Sequence, residues 1–208
     1  MQKSRLDGLA DGIFAIVMTL LALDLKIPEL SGVVTNEMIW REIQHMAPLF
    51  LSYILSFLVL ASYWIGHHFI VSVFATNLTR KLMHLNIPFL LMVALVPFST
   101  HLLGNYPQNE LAIFVYAVNV VIISFFLFLL LRHVDLSREI KNPRDAKRII
   151  RRGYIRIIIP PITAVVAVIV SFWNPTYSIY IFVLTMFFNI IPGALTLIEE
   201  GVICLTQE

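Results

Sequence analysis

Charged residues are scarce in this sequence. They make up 13% of its 208 residues, whereas hydrophobic residues make up 59%. Soluble proteins typically contain about 25% charged and about 45 to 50% hydrophobic residues. A soluble fold of this length has too little interior to bury so much apolar surface. The composition therefore excludes an ordinary water-soluble domain and predicts an integral membrane protein.

The sequence also contains almost no cysteine and none of the motifs that are typical of common enzymes. The one cysteine, Cys204, cannot form a disulfide within the chain, and its plainest interpretation is an inert thiol. The chain has no serine nucleophile elbow, no His-Glu-x-x-His zinc motif and no phosphate-binding glycine loop. We therefore expect that this protein is not an enzyme.

Long apolar segments, by contrast, are abundant. A transmembrane helix needs about 20 predominantly apolar residues. Six such segments occur, at approximately 6–25, 47–71, 82–103, 111–131, 155–173 and 177–198. We predict an all-α integral membrane protein with six transmembrane helices per subunit, forming one domain over residues 1–208. Asp7 and Asp11 interrupt the first segment, so we expect a retained helix rather than a cleaved signal peptide.

Lysine and arginine are distributed unevenly between the two sides of this predicted bundle. With six spans, thirteen of the fifteen lie on the side that carries both termini, and only Lys26 and Arg41 lie opposite. Cytoplasmic loops are rich in lysine and arginine, so we predict cytoplasmic termini and a multi-pass protein of the cell membrane. The basic run 138–156 favours contact with anionic lipid headgroups over nucleic acid. The polar connection 27–45 has apolar residues suited to a short helix on the membrane surface.

Polar side chains from three predicted helices fall at one depth, in the inner leaflet. Asp11 lies about a turn and a half into the first helix. The second helix ends near Trp64 and His67, which share a face because they are three residues apart, and the third begins shortly before Asn86. We expect one buried hydrogen-bonded network that docks the first helix, formed by Arg5, Asp7, Asp11, Trp64, His67, His68 and Asn86.

This cluster has three interpretations. The plainest is hydrogen bonding between helices, because polar residues inside a membrane usually find partners on neighbouring helices. The second is a metal or protonation site that uses Asp11 and His67, since a histidine beside a carboxylate can titrate near neutrality. The third is haem ligation by paired histidines, which requires ring nitrogens that converge across the bundle.

The second half of the first helix carries a stripe of aliphatic side chains. Ile16, Leu20 and Leu23 are separated by four and three residues and therefore share a face, with Thr19 at its border. Asp11 lies about 140° around the helix from Ile16, so the charges and the stripe meet different surroundings. By itself, the stripe favours packing against lipid or protein over a pore.

Two segments resemble motifs of a known family. Residues 5–21 follow the pattern Arg-x-x-x-Leu-Ala-Asp-Gly-Ile-Phe-Ala-Ile-x-x-Thr-Leu-Leu. This pattern resembles the first-helix motif, usually Arg-x-x-x-Phe-Ser-Asp-Gly, of prokaryotic members of the lysosomal potassium channel family, transmembrane protein 175. Residues 63–68, Tyr-Trp-Ile-Gly-His-His, resemble the family's second-helix motif, and Asn86 fits its third helix. Leu9 and Ala10 stand where phenylalanine and serine are usual, so an aromatic contact and a hydroxyl are missing from the expected network.

The resemblance implies a potassium-permeable channel built from four six-helix subunits, with the first helices around a central pore. It implies that Ile16, Leu20 and Leu23 form a hydrophobic gate and that Thr19 forms the polar ring beside it. The usual potassium-channel filter, Thr-Val-Gly-Tyr-Gly, is absent. A narrow ring of aliphatic side chains keeps a pore dry until the helices move.

Other functions stay open at this point. The main alternative is a proton-coupled secondary transporter that uses Asp11 and His67, and a membrane scaffold without transport is a third possibility. For the channel, we expect potassium as the permeant ion, no resident cofactor or bound metal, and a homotetramer surrounded by lipid. No nucleic-acid partner is expected.

Overall fold

Helices make up all of the regular structure in the described part of the chain. The computed structural model describes residues 3–30, 32, 34–75, 79–137 and 146–190. Its eight α-helices are α1 (Lys3–Leu20), α2 (Asn36–His45), α3 (Ala47–His68), α4 (Arg80–Ala94), α5 (Val96–Asn105), α6 (Glu110–Leu136), α7 (Ala146–Ser171) and α8 (Pro175–Ile190). A 3₁₀ turn, Leu21–Asp24, extends α1, and a π-helical segment, Phe69–Phe74, extends α3. Helices suit a bilayer because they satisfy their backbone groups internally. The predicted all-α class is confirmed.

In the described part of the chain, five stretches of helix are long and apolar enough to cross a membrane. They are Ser4–Asp24, Ala47–Ser72, Arg80–Asn105, Glu110–Leu136 and Gly153–Ser171. These stretches coincide with the first five predicted spans, which confirms the prediction of a membrane protein. The shorter helix α8 occupies the position of the sixth span. Residues 191–198 and the basic residues 138–145 lie outside the described residues, so the six-span count and the side of the termini stay predictions.

The third and fourth spans begin at polar side chains that cap them. The Thr79 hydroxyl oxygen accepts a hydrogen bond from the backbone N–H of Leu82 at 3.2 Å, at the start of α4. The Asn109 side-chain oxygen accepts from the N–H of Leu111 at 2.9 Å, at the start of α6. Such caps satisfy N–H groups that have no partner within the helix. They fix where each span starts and hence the depth of its side chains.

Buried polar side chains hold α3, α5 and α6 together. The Thr100 hydroxyl donates to Ser56 Oγ at 2.7 Å, and Ser56 donates to the Tyr116 hydroxyl at 3.2 Å. One turn further along α6, Asn119 donates to Ser99 Oγ at 3.0 Å. Hydrogen bonds of this kind contribute to helix association in membranes, where the hydrophobic effect between helices is weak. These bonds join the three helices into one frame within the subunit.

The first helix packs one face against the rest of the subunit and leaves the other face uncovered. Its buried side chains recur every three or four residues, as in an amphipathic helix. They are Leu6, Ala10, Phe14, Val17 and Leu21. This face packs against α3 and α4. The opposite face of α1 is exposed on the subunit.

Exposed aromatic side chains collect at one end of the bundle, which we call the outer end. It contains the end of α1, the start of α3, and the turns between α5 and α6 and between α7 and α8. Trp40 on α2, Tyr106 and Trp173 are exposed there. Tryptophan and tyrosine are enriched at membrane–water interfaces, which fits the outer end as one membrane boundary. The helix α2 has no buried side chain, as expected for a helix on the membrane surface.

Candidate functional site

A hydrogen bond between Asp11 and Trp64 joins α1 to α3. The indole Nε1–H of Trp64 donates to Asp11 Oδ1 at 2.8 Å. Both side chains lie on the exposed surface of the subunit. An acidic side chain facing hydrocarbon costs about 2.5 to 3.5 kcal/mol on insertion scales. Asp11 is therefore best accommodated by its tryptophan partner together with water or another protein chain.

A second hydrogen bond, between His67 and Asn86, joins α3 to α4 in the interior. His67 Nε2 and Asn86 Oδ1 are 2.7 Å apart, and both residues are buried. The imidazole stacks on Phe89, with ring centroids 5.1 Å apart and an interplanar angle of 4°. The Phe14 ring of α1 lies 6.3 Å from His67 and 6.1 Å from Phe89. Phe14 thus docks α1 against the histidine and the phenylalanine.

The predicted single buried network is therefore two separate pairs in the described structure. Arg5 is exposed and makes no ion pair with Asp7 or Asp11 within the described residues. For Asp7 the reason is geometric, because residues two apart on a helix do not face each other. His68 is also exposed, and its ring lies 6.0 Å from that of Trp64.

Two buried polar atoms beside these pairs have no hydrogen-bond partner among the residues that the structure describes. They are Asp7 Oδ1 and Asn86 Nδ2. Of the two departures from the family motif, Ala10 lies on the buried face of α1, whereas Leu9 is exposed. The missing serine hydroxyl would therefore lie on the face of α1 that packs into the subunit. The missing phenylalanine would lie on the exposed face.

The geometry favours one of the three interpretations of the cluster. The two adjacent histidines have different surroundings, because His67 is buried and bonded to Asn86 while His68 is exposed. Asp11 and His67 likewise have different partners. Among the described residues, no group of three or more His, Cys, Asp or Glu side chains could hold a metal ion. Hydrogen bonding between helices is the interpretation that these contacts support.

The aliphatic stripe of Ile16, Leu20 and Leu23 lies on the exposed face of α1. Leu23 belongs to the 3₁₀ turn, in which residues three apart lie in line, so it continues the row from Leu20. Thr19 is exposed beside the stripe. Its hydroxyl lies 3.0 Å from the carbonyl oxygen of Ala15 and 2.8 Å from that of Ile16, to which it donates. The stripe thus faces away from the subunit's own core.

Two contacts of α1 were missed by prediction from the sequence. One is the packing of Phe14, which the spacing of four residues from Ala10 could have indicated. The other is a polar contact at the outer end, where Asp24 Oδ1 and His101 Nδ1 are 3.2 Å apart. Both residues end apolar spans that run in the same direction, so a comparison of span ends could have paired them.

The bond between Asp11 and Trp64 predicts a measurable coupling energy. Asp11→Ala and Trp64→Phe should each lower the free energy of unfolding in detergent micelles. In the double variant, the free energy of unfolding should fall by less than the sum of the two single losses. The difference, the coupling energy, should be about 0.6 to 1.7 kcal/mol, as found for hydrogen bonds between membrane helices. Trp173→Phe, which alters an exposed tryptophan at the outer end, serves as the control. Additive effects of the two substitutions would contradict the coupling.

The described residues contain five apolar spans and a first helix with one buried and one uncovered face. These features define a class of protein, the polytopic all-helical membrane proteins. The family described as endosomal/lysosomal potassium channel TMEM175 matches residues 5–97. A potassium channel from Streptomyces collinus is 31% identical over 147 residues, which cover 69% of each chain. This chain therefore belongs to the TMEM175 potassium channel family, which confirms the resemblance of its motifs.

Further relatives extend the similarity along the chain. A potassium channel from Chryseobacterium sp. is 29% identical over 196 residues, covering 92% of this chain and 94% of the relative. The crystal structure of a lysosomal potassium-selective channel TMEM175 homolog from Chamaesiphon minutus superposes with a TM-score of 0.74 at 26% identity. It covers 89% of this chain and 95% of that chain. The similarity therefore includes the fold beyond residues 5–97.

Proposed function

We propose that this chain is a subunit of a homotetrameric potassium channel in the cell membrane, with the first helices of four copies surrounding the pore. The observation that carries the proposal is the division of α1 into two faces. Phe14 and its neighbours fix one face to the subunit, and Ile16, Leu20 and Leu23 leave the other uncovered. The chain belongs to a family of potassium channels. A position of α1 beside a central pore would explain why its uncovered face also carries the polar side chain of Thr19.

The aliphatic stripe would act as the gate. Four copies of Ile16, Leu20 and Leu23 around one axis would form successive apolar rings. A hydrophobic constriction stops conduction by excluding water, so a hydrated potassium ion cannot pass. Opening would require α1 to rotate or move outward. The face that contains Phe14 would anchor the helix during such a movement.

Thr19 would supply the polar ring beside the gate. Its hydroxyl hydrogen is directed to backbone carbonyls of α1, so the lone pairs of the oxygen stay available to a cation. Four such oxygens replace part of a hydration shell, fewer than the stacked carbonyl rings of the usual filter supply. We therefore propose potassium as the main permeant ion, with modest selectivity and without a resident cofactor.

Potassium flux into sealed vesicles tests this function. Protein reconstituted without an energy source should pass potassium down its gradient, and the rate should not depend on a proton gradient. The proton-coupled transporter predicts saturable, pH-coupled uptake that Asp11→Asn abolishes. The structure gives Asp11 and His67 separate partners, so they share no proton in the described arrangement. Flux that requires a proton gradient would refute the channel.

A further inference from the structure

We propose that a cavity at the outer end of the subunit, between α3, α5 and α8, binds one acyl chain of a membrane lipid. The cavity has a volume of about 250 Å³ and is lined by the first half of α3, Leu103 of α5, the turn before α6 and the start of α8. An apolar cavity of about 150 Å³ is enough to hold benzene. The proposal concerns residues outside the gate and does not depend on the channel function.

The cavity extends in the direction in which a lipid chain lies. Its α3 wall runs from Ala47 to Leu55, which are about 12 Å apart along the helix axis. Its α8 wall runs from Thr176 to Tyr180, over about 6 Å. Both helices begin at the outer end and descend into the membrane from there. The cavity therefore leads from the membrane boundary into the hydrocarbon region.

The lining changes from polar to apolar along this path. The described residues around the cavity carry no charge. Gln108 and Thr176 lie at the membrane boundary, whereas Leu51, Leu55 and Ile179 form the deeper walls. Apolar walls without a charged partner exclude a charged ligand, because burying an unpaired charge is costly. The ligand that matches this lining is an uncharged chain with one polar group at its outer end.

The polar rim can bond to the ester group of a lipid. Gln108 Nε2 donates to Thr176 Oγ1 at 3.1 Å, which uses one of the two N–H groups of the amide. The second N–H can donate to an ester carbonyl oxygen. Exposed Tyr106 and Trp173 mark this level as the membrane boundary, and the polar parts of lipids lie at that boundary.

Close packing of α3 against α5 closes the back of the cavity. A Cβ atom at Gly104 would lie 2.5 Å from Ser52 Oγ and 2.9 Å from a side-chain carbon of Leu49, so the helices approach each other as closely as a glycine allows. Ser52 lines the cavity, and its hydroxyl donates to the carbonyl oxygen of Leu49 at 2.9 Å. The front is open, because Ala47 and Tyr180 are exposed. A lipid chain can therefore enter from the bilayer while the back wall stays in place.

The size of the cavity distinguishes a lipid chain from a second copy of the protein. A helix with its side chains is about 10 Å wide, which is too broad for a cavity of about 250 Å³. A single alkyl chain is narrow enough. The open side also continues into exposed apolar side chains of the spans, such as Ile54 on α3 and Leu184 on α8, and lipid has direct access to such a surface in a bilayer.

Photolabelling of the full-length protein in detergent micelles tests the site. The probe is a phosphatidylcholine that carries a diazirine in one acyl chain, and mass spectrometry locates the labelled residues. We expect saturable labelling of Leu51, Leu55 and Ile179. Leu51→Trp should weaken probe binding about tenfold, because the indole takes the space of two or more methylene groups. Ile54→Trp, at an exposed position of the same helix outside the cavity, should leave the affinity unchanged.

A second variant and a second lipid make the test independent of one substitution. Ile179→Trp fills the cavity from the opposite wall and should weaken binding as Leu51→Trp does. An ether-linked lipid has no ester carbonyl and should bind about fivefold more weakly than the ester-linked probe, which corresponds to about one hydrogen bond. Gln108→Met should abolish this difference between the two lipids.

Three results would overturn the proposal. Labelling spread evenly over exposed apolar residues, including Ile54, would mean general contact with lipid. Unchanged affinity in both cavity-filling variants would place the lipid elsewhere. Labelling of the cavity only after the assembly dissociates would assign the cavity to a contact between copies. The potassium flux measurement tests the channel separately, because none of these results depends on conduction.

Discussion

Ile16→Asn is expected to raise passive potassium flux about tenfold, equivalent to a barrier lower by about 1.4 kcal/mol. An amide at this position would hold water in the narrowest part of the proposed pore, and a hydrophobic gate depends on keeping that part dry. The measurement is potassium flux into vesicles with a fixed gradient and a fixed protein-to-lipid ratio. Ile16→Val, which keeps the ring apolar, should leave the flux close to that of wild type.

A matched substitution elsewhere distinguishes a gate from a damaged bilayer or a misfolded protein. Ile162 on α7 is 57% exposed, close to the 59% of Ile16, and it lies on an apolar span without a proposed role in conduction. Ile162→Asn should leave potassium flux unchanged. Equal leaks from Ile162→Asn and Ile16→Asn, or no increase in Ile16→Asn, would contradict the assignment of the gate.

Phe14→Ala should be among the most destabilising substitutions in the chain. The side chain is 1% exposed and contacts both His67 and Phe89. Truncation of a buried phenylalanine to alanine costs about 3 to 5 kcal/mol, because apolar contacts are lost and a cavity is left. The free energy of unfolding, measured by chemical denaturation in detergent micelles, should fall by that amount.

Phe98 provides the control for this prediction. It is 63% exposed on α5, so Phe98→Ala removes a ring of the same size that has little packing within the subunit. We expect a loss below about 1 kcal/mol, the usual range for substitutions away from a packed core. Similar losses from the two variants would contradict the docking role of Phe14.

The spans were predictable because hydropathy is a local property of the chain. A run of about 20 apolar residues must be helical and must cross the membrane wherever its neighbours lie. The same reasoning predicted the depth of Trp64 and Asp11, since depth follows from counting residues along each helix. It also predicted the shared face of Ile16, Leu20 and Leu23, which depends only on helical periodicity.

The partners within the site were less predictable because they depend on how each helix is rotated about its axis. Trp64 and His67 are one turn apart on α3, yet Trp64 meets α1 on the surface and His67 meets α4 in the interior. Depth alone cannot separate these outcomes. The pairing of Asp24 with His101 depends in addition on the break at Leu95, where α4 ends and α5 begins.

The role of the aliphatic stripe depends on what covers it in the membrane. Side chains that contact lipid and side chains that line a pore are both exposed on a single subunit. Membership of a potassium channel family favours the pore. The substitutions at Ile16 and Ile162 test that step directly, because lipid contact predicts the same small effect at both positions.

The uncovered face of α1 also makes the stability of the folded chain depend on how much of the protein the membrane contains. A solitary subunit would set Asp11 and Thr19 against hydrocarbon, whereas the proposed assembly surrounds them with protein and water. Any partner that binds only the folded chain stabilises it by mass action, in proportion to the logarithm of partner concentration. Here the partner is the chain itself. Dilution of this protein in lipid should therefore lower its resistance to denaturation, so expression level would be one determinant of its stability.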